Sequence, residues 1–385
     1  MFPCLTAEQM RLRAELREYF GALLTEDERS RLLTERHGPL YRDVVRRMGR
    51  DGWLGVGWPT AYGGRGFGPV EQQIFADEAA RADVPLPSVT LQTVGPTLQE
   101  HGTAAQKDRF LPAILAGQVH FAIGYTEPEA GTDLAALRTR AVRDGDEYIV
   151  DGQKLFTTGA HDADYVWLAA RTDPDAPRHK GISILVVDTG DPGYSWTPII
   201  TCDGAHHVNA TYYAGVRVPV GLRVGPENGG WRLMTTQLNH ERVMLGPPGR
   251  LLGQRDRVAA WAADQGVAGA PAISRALAEA TALGRINELL AWQVATARPA
   301  ADGAHVADAS AIKVLHSEAV QHVGQLLEEA VAANGDPADP ATATLLTWLD
   351  VQVKRYLVLT FGGGVNEIQR ELVATHGLGL PRVPR

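Results

Sequence analysis

Two Asp-Gly pairs, at 144–145 and 151–152, flank the four-residue run EYIV. A β-prone run this short between tight-turn dipeptides reads as a strand, because a lone helical turn does not repay its nucleation. The texture continues through DYVWLAA, GISILVVDT, YSWTPII and NATYYAGVRVP, each rich in β-branched and aromatic residues at strand length. On both sides the period changes. AEQMRLRAELREYFGALL, YRDVVRRMGRDG, PVEQQIFADEAARA and AAQKDRFLPAILAG come before, with apolar residues three and four apart. WRLMTTQLNHERVML, RLLGQRDRVAAWAA, ISRALAEATALGRINELLAWQVATA and two further long runs come after. A period that switches from 3.6 to 2 and back predicts an N-terminal α-helical domain over 1–117 and a middle antiparallel β domain over 118–227. A C-terminal four-helix-bundle domain is expected over 228–385. Long antiparallel helices of this kind often associate into tetramers.

The chain has 385 residues and a net charge of −8, which argues against nucleic acid or an acidic membrane surface as partner. No apolar run approaches the ~18 residues of a membrane span. The opening LTAEQM offers Thr6 as N-cap, Gln9 at the third helical position, and Leu5 against Met10 as a staple, which is a folded helix rather than a leader. Cys4 and Cys202 have no metal or redox spacing and suit a reducing compartment, so the cytoplasm is the expected address and no metal site is expected. GWPTAYGGRGFGP (57–69) is glycine-rich, but no strand precedes it and no Lys-Ser/Thr follows, so it reads as a structural turn. His206 and His207 are adjacent, poorly placed to share a metal, and read as a surface loop.

Within LNHERVML (238–245), Glu241 interrupts an apolar stripe. At about 100° per residue Trp231, Met234, Leu238, Glu241 and Leu245 share one face, and Arg242 projects about 100° away. Burial raises a carboxylate's pKa and makes it a better base. A buried glutamate paired with an arginine of another helix fits the same pattern.

EHGTAAQKDRFLPAILAGQVHFAIGYTEPEAGTDLAALRTRA (100–141), DGQKLFTTGAHDADYVWLAAR, GPENGGWRLMTTQLNHERVML and the closing GGVNEIQRELVATHGLGLPR together resemble the acyl-CoA dehydrogenase family. The resemblance runs nearly end to end and implies FAD as cofactor and an acyl-CoA thioester as substrate. It assigns Tyr125, Thr126, Gly131 and Thr132 to flavin and substrate contacts. Phe156 would pack by the flavin ring, with Thr157 or Thr158 hydrogen-bonding it. Asn239 and Arg242 match positions that steady the base helix and the CoA moiety. Glu127 and Asp133 look like a salt-bridge partner and a cap.

The reaction removes the proton α to the thioester while a hydride leaves the β carbon, so it needs a base and donors for the enolate oxygen. The family keeps its base in one of two places. Gly363 stands at the commoner one, and no acid occurs from Val351 to Asn366; Glu241 fills the other. The resemblance therefore implies Glu241 as base, with Gly363 offering only a backbone N–H to the thioester carbonyl. Two family motifs that hold the flavin pyrophosphate across a subunit boundary are missing. DQGVAGAPAIS (264–274) lacks the Arg and Phe of one, and AVAANGDPADPAT (330–342) lacks the Gln and paired glycines of the other. A homologous partner chain supplying that half of the site, in an α2β2 heterotetramer, would explain both losses. TCDGAHHVNATYY and LNHERVMLGPPGR look most like the base-bearing subunit of bacterial steroid-side-chain enzymes. That implies a bulky acyl group and an electron-transfer flavoprotein as acceptor. A branched- or short-chain dehydrogenase, a scaffolding subunit, and a flavin oxidase or hydroxylase are the alternatives.

Overall fold

The computed structural model describes residues 5–235, 237, 246–296 and 304–381. In chain order the helices are α1 (Ala7–Leu23), α2 (Glu26–Leu32), α3 (Pro39–Arg50), α4 (Pro69–Arg81), α5 (Gly95–His101) and α6 (Ala104–Leu115), then α7 (residues 230–235), α8 (Gly249–Asp264), α9 (Pro271–Thr296), α10 (Ala304–Asn334), α11 (Pro340–Tyr356) and α12 (Asn366–Leu372). The strands are β1 (Phe121–Gly124), β2 (Arg140–Asp144), β3 (Glu147–Thr158), β4 (Tyr165–Arg171), β5 (Ile182–Asp188), β6 (Tyr194–Ile200), β7 (His206–Pro219) and β8 (Arg223–Val224). Helix, sheet, helix is the order expected. Two compact units form: Met1–Leu33 with Phe67–Leu86 and Glu241–Arg385, and Thr34–Gly66 with Pro87–His240.

In the helical unit α1 starts as the sequence proposes. The Thr6 hydroxyl accepts from the Gln9 N–H at 3.1 Å, and the Gln9 side chain accepts from the Thr6 N–H at 3.0 Å. Met10, however, is 56% exposed, so the proposed staple does not bury it. The bundle core joins α8, α9, α10 and α11 through Val258, Trp261, Ile273, Val320, Val323, Leu327, Leu345 and Leu349. These recur at three- and four-residue spacings, as a bundle seam requires. Helix α4 meets α8 at Gly249, where an added Cβ would lie 2.0 Å from the Asp77 carbonyl oxygen. The Asp77 carboxylate accepts the Gly249 N–H and so caps α8 from another helix.

The second unit carries the sheet, in the order β6-β7-β3-β2-β4-β5-β8, with β1 beside β4. It is antiparallel except for β1–β4 and the single β2–β4 bridge, which are parallel. Its core is Tyr148, Val150, Val166, Leu168, Leu185, Val187, Tyr213, Val216 and Val218. Helix α6 docks through buried Gln106, whose Nε2 donates to the Gly221 and Arg223 carbonyls at 2.8 and 2.9 Å. The 57–66 stretch is the tight turn expected: an added Cβ at Gly64 would sit 2.1 Å from the Trp58 carbonyl oxygen, and Gly63 and Gly66 take φ of +86 and +69. Among the described residues no helix is long and apolar enough to cross a membrane.

Candidate active site

In the sheet unit, two of the expected segments are tied together. The Leu155 N–H donates to the Thr126 carbonyl at 2.8 Å, joining the residues after β1 to the middle of β3. Fully buried Lys154 reinforces the junction, its Nζ donating to the Tyr125 carbonyl at 3.1 Å and to Glu127 Oε1 at 2.8 Å. Glu127 also accepts the Arg138 and Thr139 N–H groups at 2.6 and 2.8 Å, which closes the loop bearing Gly131 and Thr132. Burial pushes the Glu127 carboxyl up, but the Lys154 ammonium and these donors outweigh it and hold it below its ordinary range. Asp133 pairs with Arg178 at 2.6 Å and makes no side-chain cap. Gly131, Thr132 and Asp133 are exposed, and nothing lies within 4 Å of a Cβ built on Gly131.

The β3–β7 register shifts between Lys154 and Thr157. A bulge re-aims the side chains of the strand it interrupts. Phe156 falls in that shift, with φ of +57 and 58% exposure, an uncommon backbone for a bulky residue. Thr157 and Thr158 then part company. Thr157 is fully buried, its hydroxyl 3.4 Å from that of Thr211, whereas Thr158 is exposed beside Phe156. Tyr125 is buried, its hydroxyl donating to Gln237 and accepting from Trp167 Nε1 at 3.2 Å. Gln237 Nε2 continues the chain to Thr97 at 2.9 Å.

Histidines gather behind this segment, which the sequence did not disclose. His206 and His207 lie on β7 and half-buried, not in a surface loop. His206 stacks on His161 with centroids 3.9 Å apart, and His37 meets His161 at 5.1 Å and His207 at 6.2 Å. Gly159, with φ of +66, makes room: an added Cβ would be 2.7 Å from His37 Cε1. Burial, then the neighbouring imidazoles, pulls His37 down to about 3. The members come from positions 37, 161, 206 and 207, and only pairing of distant segments assembles them. Among the described residues no cluster of His, Cys, Asp or Glu could hold a metal ion.

Leu238, Asn239, Glu241, Arg242 and Leu245 lie outside the described residues. Earlier on that stretch, in the sheet unit, Met234 is buried and Trp231 half-buried, in line with the proposed apolar face, although Leu233 and Gln237 are buried too. Gly246 follows in the helical unit, its carbonyl accepting from buried Asn287 Nδ2 at 2.9 Å. Gly363 and Gly364 take φ of +67 and +93 in the turn before α12. The α8–α9 and α10–α11 loops meet at one end of the bundle, where Gln265 Nε2 lies 3.4 Å from Asp339 Oδ2. Asp336 and Asp339 populate that end, and neither 264–274 nor 330–342 contains Lys or Arg.

Residues 6–118 match the family model for the acyl-CoA dehydrogenase N-terminal domain, 122–214 the middle domain, and 228–378 the C-terminal domain. Acyl-CoA dehydrogenase FadE29 of Mycobacterium tuberculosis is 66% identical over 100% of both chains. The chain belongs to the acyl-CoA dehydrogenase family. As such it is an FAD-dependent oxidoreductase that desaturates acyl-CoA thioesters. FadE26 of the same organism is 45% identical over 99% of both chains. Among solved structures, the Tcur3481-Tcur3483 steroid ACAD superimposes with a TM-score of 0.92 at 48% identity, covering 100% of both chains. The ChsE4-ChsE5 complex from Mycobacterium tuberculosis gives 0.89 at 44%, also over 100% of both.

Exposed Phe156 and Thr158 on the bulged strand, with half-buried Thr126 on the segment tied to it, offer a flat apolar face and hydroxyls that fit the flavin ring of an acyl-CoA dehydrogenase. The acid-bearing end of the bundle does not fit a pyrophosphate, which needs cations or converging N–H donors.

Proposed function

We propose that this chain is the base-bearing subunit of a heteromeric α2β2 acyl-CoA dehydrogenase, and that its substrate is a bulky CoA thioester of steroid-side-chain type. The observation that carries the reading is the end of the bundle where Asp336 and Asp339 lie and where neither 264–274 nor 330–342, the stretches that replace the family's pyrophosphate motifs, contains a Lys or Arg. A partner chain of the same fold would supply the missing donors. Full-length similarity to two heteromeric complexes, one of them named a steroid enzyme, supports the assembly and the substrate class.

In this reading Glu241 takes the α proton. The Gly363 N–H meets the thioester oxygen as negative charge develops there, where a backbone dipole is worth most. Thr126, Phe156 and Thr158 orient the ring, Phe156 by stacking and Thr158 by its hydroxyl, while buried Tyr125 and Thr157 hold the ledge from behind. Gly131 and Thr132 take flavin and substrate at the loop, and Asn239 and Arg242 steady the CoA end. FAD, when bound, accepts the β hydride, and an electron-transfer flavoprotein is the acceptor beyond it. The reducing cytoplasm is the compartment that suits a chain whose cysteines, Cys4 and Cys202, have no metal or redox spacing. The glycines at 362–364 leave volume for a fused-ring acyl group.

Flavin stoichiometry tests the assembly. We expect little FAD on the chain expressed alone and one FAD per two chains when it is co-expressed with the homologous chain encoded nearest to it. One tightly bound FAD per chain in a homotetramer would end the heteromeric reading and remove the main support for a steroid substrate.

A further inference from the structure

Lys313 stands on α10, in the middle of the bundle, and is 2% exposed. Its Nζ donates to the Gly364 carbonyl at 2.7 Å, to Asn366 Oδ1 at 2.7 Å and to the Thr360 carbonyl at 3.4 Å. The two carbonyls bracket Gly363 in sequence, so one ammonium ties both ends of the turn that holds it. Asn366 is fixed in turn, its Nδ2 donating to Ser317 Oγ and Glu318 Oε1, each at 3.0 Å. Glu318 pairs with Arg370 of α12 at 2.7 Å. Burying an ammonium is expensive unless its protons are satisfied, and a three-acceptor site of this kind is a built one.

Gly363 and Gly364 both adopt positive φ, which a free turn would exchange for other conformations. Within the described residues the Gly363 N–H carries no hydrogen bond, and the Gly363 carbonyl receives only Gln369 Nε2 at 3.4 Å. The turn is therefore braced from its far side, at residues 360, 364 and 366, while no described residue takes the Gly363 N–H.

We propose that Lys313 is a positioning residue for the reaction: it locks the Gly363 turn so that this N–H is held ready for the thioester oxygen. The inference rests on the reading above that Gly363 meets the acyl group. Lys313 touches neither substrate nor proton in this role. It acts by removing the freedom of two glycines, and preorganised donors gain their catalytic value from being fixed before charge develops.

The test is α-proton exchange in D2O, followed by NMR on a saturated steroid-acid CoA thioester with the co-expressed complex and no electron acceptor. Glu241 takes the α proton, the C–H pair moves into the enolate, and a deuteron from the exchanged carboxyl returns to the α carbon. Lys313→Met should slow exchange about 100-fold, the loss typical of one oxyanion donor, with KM for the thioester changed by less than about threefold and FAD content unchanged. Asn366→Ala, which removes one of the three acceptors, should slow it about tenfold and serves if Lys313→Met does not fold. Wild-type exchange in whichever variant folds would overturn the proposal. So would failure of both to fold, which would make the cluster a requirement of the bundle rather than of the turn. Glu241→Gln, run alongside, separates the two claims. If it leaves exchange intact, the reading of Glu241 as base fails. If it abolishes exchange while the other variants keep it, only the role of Lys313 falls.

Discussion

Lys154 and Glu127 form an ion pair at 2.8 Å with side chains 0% and 7% exposed. The pair ties β3 to the loop after β1, the two segments that carry the proposed flavin ledge. Removing one partner of such a pair strands a buried charge and typically costs about 3–5 kcal/mol. Lys154→Met should destabilise the chain by roughly that amount and release FAD from the co-expressed complex. Urea unfolding and flavin absorbance check both, and a loss below about 1 kcal/mol would show that the pair does not hold the ledge.

The partition between Thr157 and Thr158 makes a paired prediction. Thr158→Val, at the exposed hydroxyl, should shift the bound flavin spectrum and lower kcat about tenfold or more. Thr157→Val should leave the spectrum alone and alter stability by about 1 kcal/mol, the worth of one buried hydrogen bond. The reverse pattern would exchange the two roles.

The histidine cluster predicts an acid-sensitive sheet unit. His37 titrates at about 3 when folded and near 6.5 when unfolded, so the native state binds fewer protons between those values. Its contribution is fully present above pH 6.5 and is lost as pH falls toward 3. His37→Gln should flatten the dependence of Tm on pH through that window. An unchanged slope would move the effect to another group.

Asp77 has the opposite sign. Burial, then the charge of Glu78, pushes it up from 3.8 to about 7. Its favourable contribution is complete below pH 3.8 and is lost as pH rises through about 7. Asp77→Asn, which keeps an oxygen for the Gly249 N–H, should remove that loss, seen as a higher Tm than wild type above pH 7. A Tm lower at every pH would mean that the charged cap is worth more than its desolvation.

Gly249→Ala probes the same helix crossing. An added Cβ 2.0 Å from a helix carbonyl has no flexible neighbour to displace. We expect a loss of about 3 kcal/mol or more, measured by denaturant unfolding. A near-neutral result would place α4 and α8 further apart.

Much of the chain was readable without coordinates because its signals are local. Thr6 and Gln9 cap α1 through atoms three residues apart, and the Asp-Gly turns bound a strand by their own dihedral preferences. The bundle helices advertise their faces by spacing alone. The family motifs placed the proposed flavin contacts at 125–132 and 156–158 in the same way. Three matters needed the folded chain. The helices of the first 117 residues are divided between two units, because burial and not chain order sets a helix's neighbours. A one-residue shift in the β3–β7 ladder turned Phe156 and Thr158 outward and Thr157 inward, and strand periodicity cannot show where a bulge falls. Lys313 reads as an ordinary solvated lysine in AIKVLHSEA, and His37, His161 and His206 read as unrelated. Their roles arise from atoms brought within hydrogen-bonding or stacking distance across 45 to 170 intervening residues or so, which no pattern of neighbours in a sequence encodes.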